Sequence, residues 1–420
     1  MDSQNIPERK IYSMKDPQVS GCRWQILNLL YHRTGLSRVD LARLLGVSKS
    51  TISMHVDALM DMGLCKKAGE ENSNGQSGQG RKPTLLSFCA DYRYLLLLDF
   101  GQVQPRLAIT DLLGCVLGQK CLTFEEENSQ EALVEALLEA TQDLLRTTAI
   151  SSDQLVLLAV AAPGIVDPHE SKLVVDGFYG KWDLLGLGHH LAASYGLKVF
   201  FYNDVNAAAW GEYIMARSSR DNLVYLAGGS GLGLGIILNG ELYLGRSGSA
   251  GEISHLLVSS LSPLCPSDEV PLALAENRYI PLSSRASFRV LLKELNRQKQ
   301  VLSESRSGRK NVLDNQDFLN LLKMGDVEAH RLAQSMGESL AILIYNLVML
   351  LDTELIVLDR AYQPFVKHID LTLKCLGRHF RQDEINISVS TSGEKAANYG
   401  LADLAVEKLI TRWAVQGGKS

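Results

Sequence analysis

The stretch from Leu36 to Leu64, "LSRVDLARLLGVSKSTISMHVDALMDMGL", constrains the fold more than any other part of the chain. Ser37 stands where it can cap a helix carrying Leu41, Leu44 and Leu45, and Gly46 supplies the residue that ends it. Only Val47 separates that glycine from Ser48, which is placed to cap a second helix. Two helices joined by so short a glycine-containing turn form a helix-turn-helix unit. Upstream, "CRWQILNLLYHR" sets Ile26, Leu29, Leu30 and Arg33 at helical spacing and predicts a third helix. Downstream, two strand-like pieces flank a loop rich in Gly, Ser, Asn and Gln, the pattern of a β-hairpin wing. Residues 1–90 are therefore predicted to be a winged helix-turn-helix domain.

In the second helix Ile52, Val56 and Leu59 share one face, while Ser50, Ser53, Met54 and Asp57 project from the other. Small hydroxyls and a flexible apolar side chain near a helix N-terminus suit base edges and a thymine methyl. Lys49 and Arg38 sit at helix starts, where they can meet phosphates, and Arg81-Lys82 lies at the base of the returning wing strand. The expected DNA-contacting set is Arg38, Ser48, Lys49, Ser50, Thr51, Ser53, Met54, Arg81 and Lys82. The charge balance agrees with this. Residues 1–90 hold 12 Lys/Arg against 8 Asp/Glu, whereas the remaining 330 hold 30 against 39. A mildly basic head on an acidic body fits a nucleic-acid-binding head.

After residue 90 apolar strands and helices alternate, which predicts an α/β body of two lobes with a cleft between them, residues 91–215 and 216–420. "YLLLLDFG" and "RLAITDLLG" form a hairpin, "LVLLAVAAPGIVD" is a buried strand ending in a Pro-Gly turn, and "LKVFFYNDVNAAAWGEY" is a strand followed by a small-residue helix. In "LVYLAGGSGLGLGIILNGELYLG" two strands flank a glycine-rich turn, and Asn239-Gly240 closes a further hairpin. The polar segment "ELNRQKQVLSESRSGRKNVLDNQD" is expected to be a solvated connection. No run of 18 or more apolar residues occurs, and the N-terminus has no apolar signal-like region, so no membrane span is expected. Seven scattered cysteines without a C-x-x-C pair suit a reducing cytoplasm.

Five blocks in this order, "LSRVDLARLLGVSKSTIS", "AAPGIVD", "NDVNAAAWGEY", "GGSGLGLGIILNGELYLG" and "SGSAGEISH", resemble the ROK family of repressors and sugar kinases along nearly the whole chain. The resemblance implies an actin-like body, with a C-terminal helix returning to the first lobe, and pairing of two copies. It also implies a sugar site on Asn203, Asp204, Glu252 and His255, with Glu276 as a further glutamate. The chemistry is suitable, because carboxylates accept hydroxyl hydrogen bonds while an amide and an imidazole offer both donor and acceptor. Ser254 departs from the family's glycine beside this set.

Asp204 stands where family kinases have their general base, but the nucleotide elements depart from the pattern. Gln102 and Val103 replace the Gly and Thr that follow Asp99-x-Gly101, and Asp359-Arg360 replaces a glycine pair, while Gly229-Ser230-Gly231-Leu232-Gly233 is retained. Valine offers no hydroxyl and crowds a turn that needs glycine freedom. The family's structural zinc takes one His and three Cys. Here His255 and Cys265 are followed by no second or third cysteine, so no metal and no cofactor are expected. The resulting expectation is a cytoplasmic, homodimeric repressor of carbohydrate-utilisation genes that binds operator DNA and a sugar effector and is not an enzyme. Two other readings stand beside it: a regulator whose body is a scaffold or is controlled by a protein partner, and a sugar kinase with a DNA-binding head.

Overall fold

The computed structural model describes residues 21–70, 83–101, 104–123, 128–176, 182–216, 220–228, 231–259, 279–303, 314–376 and 386–416. They divide into two compact units, one from residues 1–218 with 394–420, the other from residues 219–393.

The first unit begins with three helices, α1 (Cys22–His32), α2 (Arg38–Leu45) and α3 (Lys49–Asp61). Ser37 and Asp40 close a capping box on α2, Gly46 adopts the left-handed conformation at its end, and Ser48 caps α3 by accepting from the Thr51 amide. Leu41, Ile52, Val56 and Leu59 are fully buried, but Leu44 is 40% exposed and does not join the core face expected of it. Helix α1 stops at His32, and Arg33 is already extended. Strands β1 (Leu36–Ser37), β2 (Cys65–Glu70) and β3 (Thr84–Phe88) form a small antiparallel sheet in the order β1-β3-β2. The wing is therefore present as β2 and β3, while its tip, residues 71–82, lies outside the described residues.

The same unit continues into a five-stranded sheet of order β10-β7-β4-β5-β6, built from β4 (Tyr94–Asp99), β5 (Arg106–Asp111), β6 (Val116–Cys121), β7 (Leu155–Ala162) and β10 (Lys198–Asn203). Strands β4, β7 and β10 run parallel, whereas β5 and β6 are antiparallel additions. The unbroken apolar runs of β4 and β7 follow from burial on both faces. Strands β8 (Gly164–Asp167) and β9 (Lys172–Asp176) pair separately. Helices α4 (Gln130–Thr148), α5 (Leu184–Ser194) and α6 (Asp204–Met215) and the C-terminal helix Glu394–Gln416 cover the sheet.

One apolar cluster runs without a break from the head (Trp24, Leu27, Leu30, Leu59) through Leu95 and Leu97 of β4 to Leu409 and Trp413 of the C-terminal helix. The head expected as a separate domain of residues 1–90 thus shares a core with the first body sheet.

The second unit repeats the sheet plan. Strands β11 (Leu223–Gly228), β12 (Leu232–Leu238), β13 (Glu241–Leu242), β16 (Leu355–Leu358) and β17 (Ile387–Val389) take the order β13-β12-β11-β16-β17. Three strands are again parallel and two are antiparallel additions. Asn239 and Gly240, both at positive φ, make the hairpin turn read from the sequence. A small pair, β14 (Leu257–Ser259) and β15 (Tyr279–Pro281), is followed by helices α7 (Ser283–Ala286), α8 (Phe288–Ser303), α9 (Asn315–Lys323), α10 (Val327–Leu351) and α11 (Val366–Leu376).

One expectation is corrected in this unit. The segment read as a solvated connection is helical from Glu294 to Ser303, because Leu295 is fully buried and Arg297 and Gln298 both donate to the Glu294 carboxylate. Its polar spacing hid a helix with one narrow apolar face. Among the described residues, α10 is the helix long and apolar enough to cross a membrane. It instead packs Leu332, Met336, Leu340, Ile344 and Leu347 into the core of this unit.

Candidate functional site

The helix expected from the sequence to read DNA is α3. Its N-terminus is tied by Ser48 Oγ, which lies 2.8 Å from both Ser50 Oγ and Thr51 Oγ1. Ser48, Lys49 and Ser50 are exposed, Thr51 and Ser53 are half-buried, and Met54 is 60% exposed. An apolar side chain so exposed at mid-helix, flanked by small hydroxyls, presents the mixed polar and methyl-contacting surface that base edges require.

Arg38, read from the sequence as placed to meet a phosphate, has a partner within the head. Its guanidinium folds onto α3, donating to the Ser53 carbonyl at 3.2 Å and the Asp57 carboxylate at 2.5 Å. That contact holds the Asp57 carboxyl below its ordinary range. Arg38 therefore braces the angle between α2 and α3 in the free protein. Arg81 and Lys82 lie outside the described residues.

In the first unit, β10 ends at Asn203, whose side-chain oxygen caps α6 by accepting from the Asn206 amide at 2.9 Å. Its amide nitrogen donates to the Gly164 carbonyl at 2.9 Å. Asn203 thus ties the "AAPGIVD" turn to the start of α6 and fixes where the next residue points. That residue is Asp204, in the first turn of α6, where the helix dipole favours a carboxylate. It lies against the turn after β4. A Cβ placed on Gly101 would come within 2.6 Å of Asp204 Oδ2, and the Gly101 amide donates to Asp99 Oδ1 at 2.8 Å. Glycine at 101 is needed because Asp204 occupies that space. Gln102 and Val103 lie outside the described residues.

In the second unit, Glu252 precedes and His255 ends a single 3-10 turn, Ile253–His255. Gly251, at φ +90°, runs directly over β12, where a Cβ would stand 1.9 Å from the Leu234 carbonyl oxygen. Buried Ile253 anchors the turn from below. Partial burial pushes the Glu252 carboxyl above its usual range, and neighbouring His255 offsets only part of that rise. His255 itself is exposed. Cys265 and Glu276 lie outside the described residues. Among the described residues no group of three or more His, Cys, Asp and Glu side chains stands where it could hold a metal ion.

At Asp359-Arg360, read from the sequence as a departure from the family's glycine pair, Asp359 caps the turn after β16, accepting from the Ala361 amide at 2.8 Å and the Tyr225 hydroxyl at 2.7 Å. Sequence reading missed Tyr362. Its fully buried ring packs on Gly228, where a Cβ would lie 2.6 Å from the ring, and its hydroxyl donates to the Ala227 carbonyl at 3.0 Å. The four-residue spacing from the end of β16 was the available signal, but nothing local tells that the ring turns back onto β11.

A winged helix-turn-helix built onto a body with two sheets of one repeated plan is the architecture of a DNA-binding protein with an actin-like, sugar-kinase-type body. The chain belongs to the ROK family, which it matches over residues 96–408, and residues 17–72 match the MarR family. The xylose repressor of Bacillus subtilis (strain 168) is 25% identical over 391 residues, covering 92% of this chain and 94% of its own length. The crystal structure of a ROK family transcriptional regulator, a homologue of the E. coli MLC protein, has a TM-score of 0.71 at 19% identity over 96% of this chain and 99% of that one. A ROK glucokinase from Streptomyces griseus, solved with glucose and AMPPNP, has a TM-score of 0.58 at 21% identity, covering 74% of this chain and 98% of that one.

Proposed function

We propose that the chain is a sequence-specific transcriptional repressor of carbohydrate-utilisation genes, acting as a homodimer in the cytoplasm. Its kinase-derived body binds a sugar or sugar derivative through Asn203, Asp204, Glu252 and His255, and does not use ATP. The observation that carries the reading is the shared core: α1 and α3 of the head pack in one apolar cluster with β4 and the C-terminal helix of the sugar-kinase-type fold. The likeness to a xylose repressor along 92% of the chain supports it.

Loss of ATP use is supported by Val103 in place of a threonine hydroxyl, by Asp359-Arg360, and by the Tyr362 ring packed on Gly228. Release of DNA by sugar is within energetic reach, since a thousandfold change in operator affinity needs only about 4 kcal/mol of differential binding.

The test is a panel of sugars added to purified protein on its own upstream DNA, read by fluorescence anisotropy. One of xylose, glucose or an N-acetylhexosamine should release the operator, and ATP should not be consumed. Asp204→Ala and Glu252→Ala should keep operator affinity and lose the response. Release of both variants by the sugar would place the effector elsewhere. ATP turnover abolished by Asp204→Asn would make the protein a kinase instead. Removing Arg81 or Lys82 should weaken binding to every DNA sequence alike and lower the slope of log affinity against log salt by about one per side chain. An unchanged salt slope would remove the wing from the interface.

A further inference from the structure

Asp403, on the C-terminal helix, is 2% exposed. One of its carboxylate oxygens accepts the Tyr31 hydroxyl of α1 at 2.7 Å, and the other accepts the Trp210 indole N–H of α6 at 2.9 Å. A single buried carboxylate thus joins the first helix of the head to the helix that begins at Asp204. We infer that Asp403 is the joint through which the occupancy of Asp204 is passed to the DNA-binding head, an inference that rests on the effector reading above.

The mechanical argument starts with α6 and the C-terminal helix. They cross backbone to backbone: a Cβ on Gly211 would stand 1.7 Å from the Ala396 carbonyl oxygen, and one on Gly400 would stand 2.0 Å from that of Ala207. Helices in such contact cannot slide independently, so a tilt of α6 carries the C-terminal helix with it. The Tyr202 hydroxyl, at the end of β10, also donates to the Leu404 carbonyl at 3.2 Å, beside Asp403. Pulling Asp204 toward a ligand therefore moves the carboxylate that holds Tyr31. Away from water, hydrogen bonds to a carboxylate are strong and costly to leave half-made. The joint accordingly favours two discrete arrangements over a continuous drift, which is what a switch between DNA-binding and released states requires.

Asp403 and its partners act as positioning residues, and they are tested in the full-length chain with Tyr31→Phe, Trp210→Phe and Asp403→Asn. The first readout is operator affinity with and without xylose, glucose and N-acetylglucosamine. The second is hydrogen exchange of the α6 amides with and without operator DNA, because coupling between two sites is reciprocal. Tyr31→Phe should hold operator affinity without sugar within about threefold of wild type, while the sugar-induced change shrinks about tenfold, a coupling loss of ~1.4 kcal/mol. Operator DNA should alter α6 exchange in wild type and leave it unaltered in Tyr31→Phe.

Asp403→Asn keeps one acceptor but turns an amide N–H toward the second donor. Combining it with Tyr31→Phe removes that clash, so the double variant should respond better than the sum of the singles predicts. A purely structural role for Asp403 would lower melting temperature while leaving the sugar ratio and the α6 exchange response as in wild type, and that result overturns the inference. If no sugar acts on wild type, yet operator DNA alters α6 exchange through Tyr31, the effector reading falls and the joint stands. If neither readout depends on Tyr31, the joint falls whatever the sugars do.

Discussion

Gly211→Ala is expected to destabilise the first unit by about 2–4 kcal/mol, although alanine is the better helix former by about 1 kcal/mol. The added methyl meets the Ala396 carbonyl oxygen at 1.7 Å, and that oxygen belongs to the backbone of a helix that packs into the main core. No rotamer change relieves such a contact, so one helix must move by more than an ångström. The cavities opened elsewhere add to the cost. Thermal unfolding should fall by on the order of 10 °C, with the head losing order together with the body sheet because they share one core. Gly188→Ala on α5 is the control. Its methyl meets side-chain atoms and no backbone, the buried Phe201 ring at 2.7 Å and a Val160 methyl at 3.4 Å, so a smaller loss of about 1–2 kcal/mol is expected there. Equal melting shifts for the two variants would mean that α6 and the C-terminal helix do not cross this closely.

The largest functional effect is expected from Ser50→Glu or Ser53→Glu on α3. Both positions lie in the first half of the helix on the side away from buried Ile52, Val56 and Leu59. A carboxylate near a helix N-terminus is favourable to the helix itself, so folding should be unchanged within about 0.5 kcal/mol. Against DNA the same carboxylate loses a base contact and faces phosphates. Operator affinity should drop about 100-fold or more, near 3 kcal/mol. Circular dichroism and melting temperature check the first half of the prediction, and anisotropy with operator DNA checks the second. If operator binding survived in both variants, α3 would not be the helix that enters the groove.

Much of the head was readable because its signals are short-range. Ser37 and Gly46 bound α2, and Ser48 caps α3, where the sequence puts them. Strands β4, β5, β7, β10, β11 and β12 were readable from apolar runs and turn residues. Strand β6 was not, since "VLGQKC" is largely exposed and its alternation is broken by glycine. The second half of α8, from Glu294, was lost because its sequence is largely polar around buried Leu295.

At the proposed effector site, Asp204, Glu252 and His255 were named from motifs. The capping role that occupies Asn203, the burial that raises the Glu252 carboxyl, and the Tyr362 ring on Gly228 were not readable there. For Arg38 only its position at a helix start was visible in the sequence. Its pairing with Asp57 depends on the angle between α2 and α3.

The sequence by itself determined most of the pieces: the helices of the head, where their caps fall, which turn is left-handed, and which side chains carry hydrogen-bonding chemistry. Those interactions close within three or four residues, so the local order of residues is enough to specify them. Tertiary structure alone decided that head and body share a core and that one carboxylate, 372 positions from Tyr31, serves both that tyrosine and Trp210. Contacts at such separation form only once whole helices have crossed. Which helices cross is set by the summed packing of their faces, and no short stretch of sequence records it.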